Sequence, residues 1–181
     1  MKFSEWVLLK ESEQMQQLPA PKDILYTCAV LERATQSNLV GYVRRWMFEA
    51  SGHDIPKGWI GRCHHMTIKF KPKQADIMAL ANYFGKKIEL TVTDFAFDDF
   101  GIALVVKPTI ALPIGQQPHI TVAHSPEVGA VYSNTLLADK SKWRPVHENL
   151  QLPALVVGIK PDNVSTWPEL PEPLAAASLS F

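Results

Sequence analysis

The segment CHHMTIKF, residues 63–70, alternates polar and apolar side chains with the period of a β-strand, and it decides how the rest of the chain is interpreted. Successive side chains of a strand point to opposite faces. One face carries three polar side chains: His65, Thr67 and Lys69. The other face is apolar apart from one histidine: His64, Met66, Ile68 and Phe70. The apolar face is expected to point to the core, so His64 is predicted to be a hydrogen-bonded core histidine.

A second segment, HITVA at residues 119–123, repeats the same alternating pattern, with a histidine and a threonine two residues apart. His119 and Thr121 share one face of the predicted strand, while Ile120 and Val122 share the other. The two histidines, His65 and His119, are 119 − 65 = 54 residues apart, which leaves room for a helix and a hairpin between the strands. The repeated pattern predicts two similar halves that face each other across a groove.

The segments around these strands predict an α+β fold with largely antiparallel sheets. Alternating or continuous apolar runs predict further strands at 24–31, 88–92, 102–106 and 155–159, with a bulge near Thr93-Asp94. Helical spacing predicts helices that begin near Thr35 or Ser37 and end before Gly52, that span 74–84, and that are capped by Ser133 or Asn134 and end at Ala138. We predict an N-terminal arm at 1–22, one domain at 23–160 and a C-terminal tail at 161–181.

The charge balance argues against an extended nucleic-acid interface. Lys plus Arg and Asp plus Glu number 18 each, so the formal net charge is zero with neutral histidines. A chain without excess positive charge is not expected to grip long DNA, whereas a small phosphate ligand or an RNA end held locally is compatible with it. The N-terminal sequence lacks an apolar signal-peptide region, and no segment is long enough to cross a bilayer. These features favour a cytoplasmic protein, expected to be a monomer without membrane contact.

Two His-Thr pairs on opposite sides of one phosphorus supply the groups that phosphodiester cleavage needs. One histidine takes a proton from the nucleophile and the other protonates the leaving oxygen, which histidines do near neutral pH. Thr67 and Thr121 are placed to donate hydrogen bonds to the non-bridging oxygens and to stabilise the charge that builds there. The chemistry then requires neither a metal nor a cofactor.

The doubled His-x-Thr-aliphatic pattern resembles the mark of the two-histidine (2H) phosphoesterase superfamily. The segments PHITVAH, residues 118–124, and VYSNTLL, residues 131–137, look like the branch with CNPase-type 2′,3′-cyclic nucleotide phosphodiesterases and the phosphodiesterase domains of tRNA ligases. The segment GWIGRCHHMTI, residues 58–68, resembles small bacterial and phage members associated with RNA repair. The resemblance spans about residues 24–160.

This resemblance implies a bilobal LigT-like fold, in which two largely antiparallel sheets face each other across a central groove and the helices lie outside. It implies that His65 and His119 are the acid–base pair and that Thr67 and Thr121 contact the phosphate. By analogy with the cyclic phosphodiesterase branch, His119 is the base that activates water and His65 is the acid. The implied reaction is hydrolysis of a 2′,3′-cyclic phosphate on a nucleotide or an RNA end.

Further residues are candidates for ligand contact, each with a structural alternative. Four are predicted to bind substrate: Lys69, Tyr132, Ser133 and Trp59. Lys69 is equally explained as a solvated lysine, Ser133 as a helix cap, and Tyr132 as a core residue. Arg62 is another possible ligand contact, and its alternative is a surface role. His124 is expected in a surface loop.

Three alternative functions remain open on the sequence alone. A zinc site could be formed by four histidines: His64, His65, His119 and His124. Against it, neighbouring histidines on a strand point to opposite faces, and no established zinc motif is present. A nuclease for cyclic oligonucleotide signals would use the same four site residues. A non-catalytic RNA- or nucleotide-binding module would bind phosphate through the histidines without turnover.

Overall fold

The fold was analysed in a computed structural model that describes residues 18–163 and 165–169. Most of the predicted N-terminal arm and more than half of the predicted C-terminal tail lie outside these residues. Within the described part of the tail, Thr166–Trp167 pairs with the preceding long strand, so this portion belongs to the sheet.

Strands dominate the described chain, and every strand pair in it is antiparallel. The strands are β1 Tyr26–Leu31, β2 Ile60–Gly61, β3 His65–Phe70, β4 Lys87–Phe97, β5 Gly101–Pro108, β6 His119–His124, β7 Trp143–Pro145, β8 Gln151–Ile159 and β9 Thr166–Trp167. The α-helices are α1 Arg33–Ser51, α2 Gln74–Ala79 and α3 Tyr132–Ala138. The predicted α+β class with antiparallel pairing is confirmed.

The described strands form a single sheet that closes on itself, and this corrects the prediction of two separate sheets. The order is β7-β4-β5-β6-β3-β1-β8-β9, with β2 attached to β6. Strand β4 bends at a register shift between Val92 and Asp94, where the sequence predicts a bulge. This bend lets residues 87–91 of β4 pair with β8 while the rest of β4 pairs with β7. The ring β4-β5-β6-β3-β1-β8 therefore has a barrel-like form.

Helix α1 covers the main core of this barrel. Its buried face is Leu39, Val43, Trp46 and Met47, which pack with the inward side chains of the ring strands, among them Met66 and Ile120. Gly52 ends the helix with a φ of 74°, in the left-handed region that glycine adopts without a steric penalty. The helix begins at Arg33, earlier than Thr35 or Ser37, and its N-cap Glu32 makes no side-chain capping bond.

Three short strands and the end of α2 differ from the predictions. Helix α2 ends at Ala79 and not at residue 84, because the chain continues in turns, where the amides of Leu80, Ala81, Tyr83 and Lys86 bond to carbonyls three residues earlier. Strands β2, β7 and β9 have two or three residues each, too few for an alternation to be visible in sequence. In the described part of the chain, none of the helices combines the length and the apolar character needed to span a bilayer.

Candidate active site

The two predicted His-Thr pairs lie side by side on neighbouring strands. Met66 of β3 pairs with Ile120 of β6 in antiparallel register, and both side chains are fully buried in the core. His65 and Thr67 flank Met66 in the chain, and His119 and Thr121 flank Ile120. All four side chains line one cavity on the opposite face of the sheet. The strand alternation read from the sequence therefore holds for these four residues.

A bulge between β2 and β3 changes the environment of His64. Gly61 pairs with Ala123, and Met66 pairs with Ile120, so four residues, 62–65, lie opposite two, 121–122. Cys63 has a φ of 45°, in the left-handed region, and turns the chain within this bulge. Alternation does not extend across such an irregularity. His64 is consequently half-buried and lines the cavity, and the prediction that it is a core histidine is wrong.

The cavity has a volume of about 590 Å³ and combines polar groups with exposed apolar surface. It is lined from β1, the β2–β3 bulge, β3, the loop before β6, β6, α3 and the turn before β9: Tyr26, Arg62, His64, His65, Thr67, Phe70, Gln116, His119, Thr121, Ala130, Val131, Asn134 and Asn163. Among these described lining residues none is acidic, while Arg62 carries a fixed positive charge. The cavity is therefore suited to an anion.

His119 is held in one orientation by the backbone. Its Nδ1 lies 2.8 Å from the carbonyl oxygen of Gln117, an acceptor, so Nδ1 carries the proton and donates. The neutral ring then has its lone pair on Nε2. Burial lowers the pKa of His119, and the bond to Gln117 partly opposes this effect by favouring the charged ring. His119 is thus neutral near pH 7 and can accept a proton at Nε2.

His65 contacts two rings, His64 and Tyr26. Its Nδ1 is hydrogen-bonded to the Nδ1 of His64, and the two ring centroids are 4.4 Å apart. The Tyr26 ring, from the neighbouring strand β1, lies 5.4 Å from the His65 ring. Burial, together with the charges of His64, His119 and Arg62, lowers the pKa of His65 to about 3. Burial and Arg62 lower the pKa of His64 to about 4.

Thr121 is oriented by helix α3. The buried Ser133 hydroxyl donates to Thr121 Oγ1 at 3.0 Å, and the Thr121 hydroxyl donates to the carbonyl oxygen of Ala130 at 3.4 Å. Ser133 and Asn134 were predicted to cap α3, but the helix begins at Tyr132 and its N-cap, Val131, makes no side-chain capping bond. Ser133 therefore supports a site residue from behind and does not line the cavity itself.

Like Ser133, the other three predicted substrate-binding residues and His124 lie outside the cavity lining. Trp59 is 9% exposed and packs in the main core, which corrects the prediction that it contacts the ligand. The Tyr132 hydroxyl donates to Asp98 Oδ2 at 2.8 Å and fixes α3 to the β4–β5 hairpin. Lys69 reaches the loop before β6, where its Nζ lies beside Gly115. His124 is buried at the end of β6 and not in a surface loop.

Arg62 is the most informative addition to the four site residues. Arg62 lines the cavity, and its Nε is buried without a hydrogen-bond partner within the described residues. An unpaired buried donor of this kind is costly unless a ligand satisfies it. The guanidinium also lowers the pKa of both His64 and His65. From the sequence, Arg62 is predicted only as a possible ligand contact, because the bulge at residues 62–65 determines that its side chain reaches the cavity.

The remaining cavity residues have no signal in the sequence. Phe70 and Val131 are 59% and 74% exposed, and each presents an apolar side chain at the cavity. Tyr26, Asn134 and Asn163 reach it from elements that are distant in the chain, so only the folded arrangement identifies them. No group of three His, Cys, Asp or Glu side chains within residues 18–163 and 165–169 is arranged to hold a metal ion.

Comparison with known proteins yields a likeness of fold. No protein-family model matches the chain, and no curated protein matches it. A crystal structure of a fungal RNA kinase is similar, with a TM-score of 0.52 and 15% sequence identity. The match covers 79% of this chain and 47% of that chain, so the present chain spans about half the length of its structural neighbour. At this identity the similarity concerns the fold alone.

Proposed function

We propose that this protein is a metal-independent phosphodiesterase that hydrolyses a 2′,3′-cyclic phosphate on a nucleotide or an RNA end. The observation that carries the proposal is the placement of His65, Thr67, His119 and Thr121 around one cavity. The resemblance of the two His-Thr segments to those of the 2H phosphoesterases supports the same reaction. The similarity to an RNA kinase adds support for an RNA substrate.

The proposed reaction assigns the base to His119. Its Nε2 takes a proton from water, and the water oxygen bonds to phosphorus. The bond from phosphorus to one ribose oxygen breaks, and that oxygen receives a proton from Nε2 of His65 in its charged form, which a bound phosphate anion favours although burial lowers the pKa of His65 in the free protein. Each such proton transfer contributes about 10²- to 10⁴-fold to the rate. The products are a nucleotide phosphomonoester and a free hydroxyl, and the two histidines exchange their protons with solvent.

The non-bridging oxygens have several positive or donating partners in this proposal. Arg62 lines the cavity and offers a fixed positive charge, and the hydroxyls of Thr67 and Thr121 offer two donors once the Thr121 proton turns from the Ala130 carbonyl. A cavity of about 590 Å³ is much larger than a phosphate group, so it has room for the ribose and base as well. The exposed ring of Phe70 is suited to stack on a nucleobase. Such stacking does not depend on which base is present, because every base has a flat aromatic face.

The test is hydrolysis of 2′,3′-cyclic nucleotides by the full chain in the presence of EDTA. We expect turnover to persist with EDTA and to fall by about 10²-fold or more in His65→Ala and in His119→Ala. His147→Ala is the matched control, because His147 is exposed and lies outside the cavity. Loss of turnover with EDTA, or full activity in both site variants, would contradict the mechanism. A panel with short RNAs and cyclic oligonucleotides identifies the substrate, and tight binding without product would indicate a binding module.

A further inference from the structure

His64 lies next to the four proposed site residues but has no role in the proposed reaction. The alternation pattern predicted it to be a core residue. The bulge at residues 62–65 instead turns its ring into the cavity wall beside His65. The two Nδ1 atoms are in hydrogen-bond contact, and the ring centroids are 4.4 Å apart. A contact between two imidazole nitrogens requires one N–H and one lone pair, so the two rings share a single proton at this contact.

We propose that His64 is a positioning residue for the catalytic acid: in the charged form of His65, which a bound phosphate anion favours, Nδ1 of His64 accepts a hydrogen bond from Nδ1–H of His65, and Nε2–H of His65 is directed at the leaving oxygen. The inference rests on the proposed function, in which His65 is the acid. It deepens that function by identifying the group that fixes the tautomer and the ring orientation of His65. In this respect His64 does for His65 what the carbonyl of Gln117 does for His119.

The surroundings of the pair favour one shared proton over two. The groups that face it are Tyr26 from β1, Arg62 from the bulge and His119 from β6. Arg62 and His119 are cationic or can become so, so a second positive charge on the pair would be repelled. When His64 is neutral, its lone pair stabilises protonated His65. The charge of His64 lowers the pKa of His65 only when both rings are protonated, whereas the first proton on the pair is stabilised by the lone pair of the neutral partner. Loss of the acceptor should therefore lower the pKa at which His65 takes that first proton.

Variants at position 64 separate an acceptor from a packing role. His64→Phe keeps a ring and removes the acceptor, whereas His64→Gln retains an acceptor oxygen. With a 2′,3′-cyclic nucleotide at pH 7, we expect kcat to fall at least 10-fold in His64→Phe and to recover most of that loss in His64→Gln. The limb of the pH–rate profile that belongs to His65 should move to lower pH in His64→Phe. An equal loss at every pH, without rescue by glutamine, would overturn the inference.

A substrate that needs no acid gives a second readout. In bis(4-nitrophenyl) phosphate the leaving group departs as a stable anion, so catalysis by His65 is dispensable. We expect His64→Phe to lose less than 3-fold in kcat on this substrate, while His119→Ala loses activity on both substrates. An equal loss in His64→Phe on both substrates would contradict the assignment.

Nuclear magnetic resonance of the histidine rings tests the role of His64 even if the protein turns over no substrate. A failure of this inference is therefore distinguishable from a failure of the proposed function. In the wild-type protein, ¹⁵N spectra should show a proton on Nδ1 of His65 bonded to Nδ1 of His64, and titration should place the midpoint of His65 higher than in His64→Phe. Rings that titrate independently, or an unchanged midpoint in His64→Phe, would overturn the inference.

Discussion

Thr67 and Thr121 occupy equivalent positions in the two His-Thr pairs, but their hydroxyls have different surroundings. Thr121 accepts from Ser133 and donates to a backbone carbonyl. Within the described residues, the hydroxyl of Thr67 has no hydrogen-bond partner, so it is free to turn toward a ligand. Ser133 of helix α3 therefore holds the Thr121 oxygen in place before a ligand arrives, and the Thr121 proton would have to turn from the Ala130 carbonyl, 3.4 Å away, to donate to a phosphate oxygen.

Replacement of Thr121 by valine should test this arrangement. Valine preserves the shape and removes the donor, so we expect kcat for the cyclic nucleotide to fall by about 10²- to 10³-fold with a small change in KM. Ser133→Ala should have a smaller effect, because the Thr121 hydroxyl remains. Thr135→Val, at an exposed position of α3, is the control for helix stability. A Ser133→Ala loss as large as that of Thr121→Val would show that Ser133 acts directly.

Arg62 should set both the phosphate affinity and the pH dependence. Burial lowers the pKa of His65 and of His119, so both limbs of the kcat/KM profile of the wild-type protein should lie below pH 6.5. Arg62→Gln removes a charge that lowers the pKa of His65, but not one that acts on His119. The limb set by His65 should then move to higher pH, and the limb set by His119 should stay.

The same variant should weaken inhibition by inorganic phosphate, which calorimetry or inhibition kinetics can measure. Arg62→Lys retains the charge, so its pH profile should remain close to that of the wild type even where the affinity falls. Arg33→Gln, on the exposed start of α1, is the matched control. A shift of both limbs in Arg62→Gln, or of neither, would contradict the proposed electrostatic role.

At the scale of elements, strands β3 and β6 were predictable and the bulge before β3 was not. Each strand has strict local alternation, which is enough to place His65 with Thr67 and His119 with Thr121. The bulge exists because β2 and β3 pair with β6 in registers that differ by two residues, and register with a distant strand is not written in the local pattern. Arg62 and His64 enter the cavity through this irregularity, so the sequence predicted Arg62 only as a possible contact and His64 as a core residue.

Helix α3 is attached to the β4–β5 hairpin by a small polar network. Asp98 accepts from the Tyr132 hydroxyl and from Lys142 Nζ, and it also caps the backbone amides of Phe100 and Gly101. Tyr132→Phe removes one of these bonds. We expect a loss of about 1 kcal/mol in the free energy of unfolding and little change in kcat, measured by urea denaturation and by the cyclic nucleotide assay. A large loss of kcat in this variant at unchanged stability would restore Tyr132 as a ligand contact.

At the scale of the whole molecule, closure of the sheet explains why the barrel and the cavity were not predicted together. The ring closes through pairing of residues 87–91 with 151–155, which are far apart in the chain. The sequence predicts most of the strands and the two His-Thr pairs. The long-range pairing, which the sequence does not reveal, joins all of these strands into one sheet. The closed ring then places the main core on the inner face and the site on the outer face of β3 and β6.

Burial lowers the pKa of His64 and of His65, and it should therefore make the stability of the fold sensitive to mild acid. An unfolded histidine titrates near pH 6.5, whereas the pKa values of folded His64 and His65 are about 4 and about 3. Between these values the unfolded chain binds more protons than the folded one, so stability is complete above pH 6.5 and is lost as the pH falls toward 4. The slope approaches about 1.4 kcal/mol per pH unit for each histidine that stays neutral.

Urea denaturation between pH 7 and pH 4.5 should show this loss, and the double variant His64→Gln/His65→Gln should flatten it, while His147→Ala should not. Asp98 does not interfere, because its pKa is lowered by its bonds to Lys142, Phe100 and Tyr132, and its contribution is lost only at lower pH. Inorganic phosphate should reduce the slope in the wild type, since an anion in the cavity favours charged histidines. An identical slope in wild type and double variant would show that the two rings are not held neutral by the fold.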